Sequence, residues 1–82
     1  MHELDERLNM LKTFGLDNFP ADTTPAECAD LFNNWLRGHF PSFPQQSAKG
    51  ISPLLLQLGF ARIGRKMGRA RLFNPHRKVL PL

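Results

Sequence analysis

A chain of 82 residues has room for one domain around one core, because a domain of this size buries only about 60% of its unfolded surface, which excludes a two-domain enzyme with its own cleft. Its 41% hydrophobic content, with seven Phe and one Trp as bulky core candidates, is that of a folded globular domain. The net charge of +4 is unevenly spread: all seven acids (Glu3, Asp5, Glu6, Asp17, Asp22, Glu27, Asp30) lie in the first 30 residues, whereas the nine cations from Leu31 onward meet no acid, a field that attracts phosphate polymers or an acidic partner surface.

Residues 3–14 read as a helix, since Leu4, Leu8, Leu11 and Phe14 share one face and Met10 falls off it. Gly15 should end it in a Schellman turn that folds Leu16 onto Leu11. Asp17 to Asp22 is a linker or a short edge strand. Thr24-Pro25-Ala26-Glu27 then predicts a capped helix start, with Thr24 at the cap, Pro25 in the first turn and Glu27 reaching back. In that second helix Cys28, Leu31, Phe32, Trp35 and Leu36 follow the apolar template, leaving Glu27, Asp30, Asn33, Asn34 and Arg37 outward until Gly38 and Pro41 end it.

After the turn-rich segment from Pro41 to Gln46, Ser47 is placed to cap a third helix running to Leu58. Pro53 leaves two other arrangements open: a helix starting at Ser52, or two short ones over 45–50 and 52–58. Leu54, Leu55, Leu56 and Leu58 are too many for one solvated face, so this segment should be the most enclosed. The period then changes. Residues 60–65 and 69–74 alternate about Lys66-Met67-Gly68, which predicts a β-hairpin with Ala61 and Ile63 facing Ala70 and Leu72, and Arg62, Arg69 and Arg71 on the other side or the edges. Asn74-Pro75 ends the second strand, and the tail to Leu82 is expected to be extended.

Helices followed by a basic hairpin make the expected fold α+β, a small winged helix-turn-helix: an acidic helix and linker over 1–22, a core over 24–74 and a tail over 75–82. In such a fold the helix before the hairpin enters a major groove and the hairpin touches the neighbouring backbone. The wing candidates are Arg62, Arg65, Lys66, Arg69 and Arg71, with Lys66, Met67 and Gly68 at the tip. Base-edge candidates on the helix are Gln46, Ser47, Lys49, Ser52 and Gln57, Gln being suited to adenine and Lys to guanine. Arg77 and Lys78 are further backbone candidates. Cations dispersed over unrelated surfaces, or paired with the N-terminal carboxylates, would leave this reading without support.

The stretch from Ala29 to Asn74, with Leu-Phe-Asn-Asn-Trp-Leu on one helix, then Leu-Leu-Gln-Leu-Gly-Phe and an Arg-rich hairpin, resembles the winged-helix modules at the C-terminal ends of phage, plasmid and viral primase-helicases. The resemblance implies duplex DNA binding in the replication or regulation of a mobile element, with Trp35 in the core, Leu58-Gly59-Phe60 as the hinge into the wing and residues 62–71 as the wing. Pro53 departs from the usual unbroken helix, and no ATPase or primase motif accompanies the module, so only binding carries over.

No catalytic, cofactor or metal site is expected. Cys28 lies on an apolar stripe, His2, His39 and His76 are scattered without ligand spacing, and there is no phosphate-binding loop or nucleophile elbow. A single Cys, the lack of any run of about 20 apolar residues and an acidic N-terminus point to a cytoplasmic setting away from membranes. Nucleic acid is the expected partner, with a homo-oligomer or a larger replication complex in view. Two other functions use the same residues: an interaction module whose acidic segment pairs with a basic surface, and RNA binding, for which the lack of Tyr leaves few stacking platforms.

Overall fold

The computed structural model describes residues 3–77. Its elements are helix α1 (Glu3–Phe14), a 3-10 turn (Leu16–Asn18), strand β1 (Asp22–Thr23), helices α2 (Pro25–His39) and α3 (Ala48–Gln57), and strands β2 (Ala61–Lys66) and β3 (Arg69–Phe73). The class is α+β, as the sequence predicts, and the three strands form one antiparallel sheet in the order β1-β3-β2. The segment from Asp17 to Asp22 is mostly a 3-10 turn and connection, and only its last residue enters the edge strand β1. Lys78 and the rest of the tail lie outside the described residues.

Local chemistry accounts for the helix ends. The Glu27 amide donates to Thr24 Oγ1 at 3.2 Å with Pro25 in the first turn of α2, and the Gly50 amide donates to Ser47 Oγ at 3.0 Å. The Glu27 carboxylate meets the Thr24 hydroxyl at 3.5 Å instead of returning to a backbone amide. Gly15 has φ 102° but ψ 108°, so the chain enters the 3-10 turn directly rather than through the left-handed helical basin a Schellman motif needs. Asn18 Nδ2 takes up the Phe14 carbonyl at 2.7 Å. Helix α2 runs through Gly38 to His39, and stops where Pro41 forces Phe40 out of helical geometry (φ −138°, ψ 67°).

Helix α3 is a single helix, neither split nor delayed to Ser52, even though Pro53 lies inside it. Ile51, Leu54 and Leu55 are buried on one stripe, and that burial offsets the one backbone bond to Lys49 that proline removes. Leu56 and Leu58 are only half-buried. The core combines Leu11, Phe19, Cys28, Ala29, Phe32, Leu36, Ile51, Leu54, Leu55, Phe60 and Leu72, and Met10 packs at its edge in spite of its position off the α1 stripe. Phe14 joins α1 to α2, its ring 6.0 Å from Phe32 and 5.5 Å from Trp35. Leu31 departs from the template and is 38% exposed.

Asn33 is not an outward surface residue. Its side chain brackets the backbone of Gln46, Nδ2 donating to the carbonyl and Oδ1 accepting from the amide, both at 2.8 Å, and so fixes the entry to α3. A second buried amide anchors the other end of the molecule. Asn74, fully buried, donates from Nδ2 to the carbonyls of Leu16 (2.8 Å) and Phe19 (3.0 Å) and accepts the His76 amide on Oδ1 (2.9 Å), while its own amide reaches Ala21 (2.9 Å). The segment after Asn74 turns here rather than running extended, as far as Arg77.

Asn74→Ala is expected to lower unfolding stability by about 1–3 kcal/mol, because it leaves the buried Phe19 carbonyl without a donor, while the Leu16 carbonyl keeps the Phe19 amide. Urea denaturation checks this; a loss below about 0.5 kcal/mol would mean that water replaces the amide at no cost.

Candidate nucleic-acid interface

The hairpin turn explains how the basic segment is presented. Lys66 pairs with Arg69, leaving a two-residue loop in which Met67 (φ 52°) and Gly68 (φ 79°) both have positive φ. That is the type I′ geometry whose twist matches the flanking strands. Toward the base of the hairpin the register skips between Arg62 and Gly64, so Ile63 is an extra residue in a β-bulge.

The bulge overturns the alternation read from sequence. Ala61 stands opposite Phe73 and Arg62 opposite buried Leu72, while beyond the bulge Arg65 faces Ala70. One inserted residue shifts the phase of β2, so Arg62 and Arg65 share the face of Leu72 and Ala70, and Ile63 is 42% exposed. Lys66, Arg69 and Arg71 belong to the opposite face.

A groove of about 650 Å³ lies between the hairpin and the starts of two helices. Thr24, Pro25 and Ala26 contribute the first turn of α2; Ala48, Lys49, Ser52, Pro53 and Leu56 contribute α3; Arg62, Arg69 and Ala70 contribute the hairpin. Three cations thus border one depression that includes no carboxylate and no aromatic ring. Two helix N-termini open onto it; their positive dipole ends, with the amides of Ala26, Ala48 and Lys49 that the caps leave unused, favour an anion. Adjoining the groove, and sharing Thr24, Ala26 and Arg69 with it, a smaller cleft is lined by Lys66, Met67, Glu27 and Asp30.

Several candidates stand elsewhere. Arg71 makes a two-pronged ion pair with Asp22, Nε to Oδ1 at 3.1 Å and the terminal nitrogen to Oδ2 at 2.6 Å. This wing cation is therefore neutralised within the molecule, and it is the ion pair present among the described residues. Hydrogen bonds from Arg71, helped by the charges of Arg71 and Lys66, hold the Asp22 carboxyl below its usual range against desolvation. Gln46 does not project toward a ligand: its side chain bonds the Pro44 carbonyl at 2.9 Å and Arg7 at 3.5 Å. Ser47 Oγ is occupied as the cap of α3. Gln57 is exposed in the last turn of α3, outside the groove lining. Arg77 donates to the Asp17 carbonyl at 3.1 Å, beside the 3-10 turn. Of the helix candidates, Lys49 and Ser52 reach the groove.

Sequence reasoning did not single out the first turn of α2, where Pro25 has no N–H and Thr24 takes the Glu27 and Cys28 amides, leaving the Ala26 amide free. Asp22 as the partner of Arg71 has no local signal, the two being 49 residues apart.

Cys28 is buried beneath the start of α2, with its Sγ 3.4 Å from Thr23 Oγ1. Burial first, then the charge of Glu27, pushes the thiol up to about 11, against the Thr23 hydrogen bond. Among the described residues no group of three or more His, Cys, Asp or Glu side chains is placed to hold a metal ion, and no helix is long and apolar enough to cross a membrane.

Two outcomes follow from these contacts. At pH 8 a thiol reagent should leave the folded protein unmodified and react with one equivalent in denaturant; rapid labelling of the native state would contradict the burial of Cys28. Asp22→Asn should release Arg71, so that anion affinity rises and the salt dependence of nucleic-acid binding steepens by about 0.9 in log–log slope. The folded-state carboxyl lies below its unfolded value, so the contribution of the pair to stability is present above the ordinary carboxylate range and lost as pH falls through the depressed value.

Comparison with known proteins returns no match: no family model fits this sequence, and no curated protein or solved structure matches the chain.

Proposed function

We propose that this chain is a winged-helix domain that binds duplex DNA, chiefly through the phosphate backbone. The observation that carries the reading is the convergence of Lys49, Arg62 and Arg69 on one carboxylate-free groove that two helix N-termini also enter. The order α1, β1, α2, α3, β2, β3, with β1 completing the sheet beside β3, supports the winged-helix arrangement.

In this reading a strand of the duplex lies along the groove. The first turn of α2 and the rim cations hold its phosphates, α3 approaches the major groove with Lys49 and Ser52 leading, and the turn at Met67-Gly68 reaches past the backbone. Arg65 and Lys66, both exposed, extend the cationic surface along the hairpin. A groove with no aromatic ring suits a stacked duplex better than unstacked single-stranded bases, which need aromatic platforms. The resemblance of residues 29–74 to primase-helicase wing modules favours a role in the replication or regulation of a mobile element, within a larger assembly. No catalytic step is assigned to the chain.

Five cations remain for phosphates once Arg71 is set aside: Lys49, Arg62, Arg65, Lys66 and Arg69. Log affinity for random duplex should then fall with log salt at a slope near −4.5, and the double variant Lys66→Ala, Arg69→Ala should lower that slope by about 1.8. Fluorescence anisotropy between low and moderate salt measures both. Binding that ignores salt, or a double variant with the parent's slope, would defeat the proposal.

A further inference from the structure

Met67 is the most exposed large hydrophobic residue among the described ones, at 94%, and it occupies the outermost position of the hairpin. A single exposed apolar side chain is ordinary on a protein surface. Its setting here is not. With φ 52° it is the one non-glycine residue of positive φ among those described, at the turn position where Asn, Asp or Gly is unstrained. Local stability and solubility would both favour Asn at this site, so neither accounts for a long thioether. Arg65, Lys66 and Arg69 stand exposed beside it, a cationic collar about an apolar tip, with Glu27 and Asp30 across the cleft that Lys66, Met67 and Arg69 line. Its partner face is also open: a Cβ added at Gly68 would meet nothing within 4 Å.

Resting on the duplex reading above, we infer that Met67 is an apolar wedge that enters the minor groove beside the gripped backbone and partly opens a base step. The collar supplies the attraction that brings the tip to the groove, and the unbranched, polarizable side chain is slim enough to slide between base pairs. An inserted wedge favours steps that unstack easily, TpA above all, over stiff G·C steps. The domain then acquires a sequence preference without reading base edges at that position. The wedge is a specificity-determining contact, separate from the phosphate contacts of the groove.

The test compares the parent with Met67→Asn on two duplexes of equal length, one rich in TpA steps and one of G·C pairs only, by anisotropy at a fixed salt concentration. The parent should prefer the TpA duplex, and Met67→Asn should lose about five- to tenfold in affinity for it while changing less than about twofold on the G·C duplex. Thermal unfolding of Met67→Asn at or above the parent's temperature shows that the loss is not misfolding. The Lys66→Ala, Arg69→Ala variant should instead weaken both duplexes alike. If Met67→Asn binds both duplexes as the parent does, the wedge is wrong and the backbone reading stands. If the parent binds neither duplex, both readings fail. Loss of binding to phosphatidylglycerol vesicles in Met67→Asn, with duplex binding unchanged, would overturn the wedge in favour of a lipid-facing tip.

Discussion

The hairpin that presents most of the cations is joined to the rest of the molecule at its base, by Phe60 and Leu72 in the core, the β1–β3 pairing, the Arg71–Asp22 ion pair and the buried amide of Asn74. All six residues of β2 are exposed, and β3 sends only Leu72 fully into the core. Leu72 pairs with buried Thr23 on β1, and two residues on, Asn74 binds the carbonyls of Leu16 and Phe19. Because an unpaired buried carbonyl costs far more than a made hydrogen bond contributes, this clamp defines a single position for the base of the hairpin. The direction of the whole ribbon, and hence the width of the groove it shares with α2 and α3, follows from that anchorage.

Charge is sorted in the fold as well as along the chain, though not in the same way. Asp22 lies far from the basic segment in sequence, yet strand pairing brings it against Arg71. Glu27 and Asp30 stay on the side of α2 that faces Lys66 and Arg69 across the second cleft, whereas the groove bordered by Lys49, Arg62 and Arg69 contains no carboxylate. The two clefts adjoin, sharing Thr24, Ala26 and Arg69, so the carboxylates of Glu27 and Asp30 stand beside the groove but outside its lining.

The two departures from regular geometry in the hairpin serve its presentation. The bulge at Ile63 moves Arg62 onto the face of Leu72, from which it borders the groove, and the I′ turn gives the ribbon the tight right-handed twist that carries Met67 outward. Before α3, Asn33 holds Gln46 and Ser47 caps the first turn, so the start of that helix is set by side chains rather than by the proline-rich loop before it.

Features that depend on a few neighbouring residues were legible in the sequence: the α1 stripe through Leu11 and Phe14, the Thr24 and Ser47 caps, the positive φ at Gly68, and the division of the chain into acidic and basic halves. Caps, turns and helical periodicity act over one to four residues, and the chain itself supplies both partners. Tertiary structure decided the rest. Whether α3 continued through Pro53 depended on how much of Ile51, Leu54 and Leu55 could be buried; the phase of β2 depended on the bulge at Ile63. Arg71 found Asp22, Asn74 found Leu16 and Phe19, and Asn33 found Gln46, all across separations at which an Arg or Asn carries no mark of its partner. Those pairings, more than the count of cations, determine which charges remain free at the groove, because a guanidinium held by a carboxylate in the same molecule has little left to offer a phosphate.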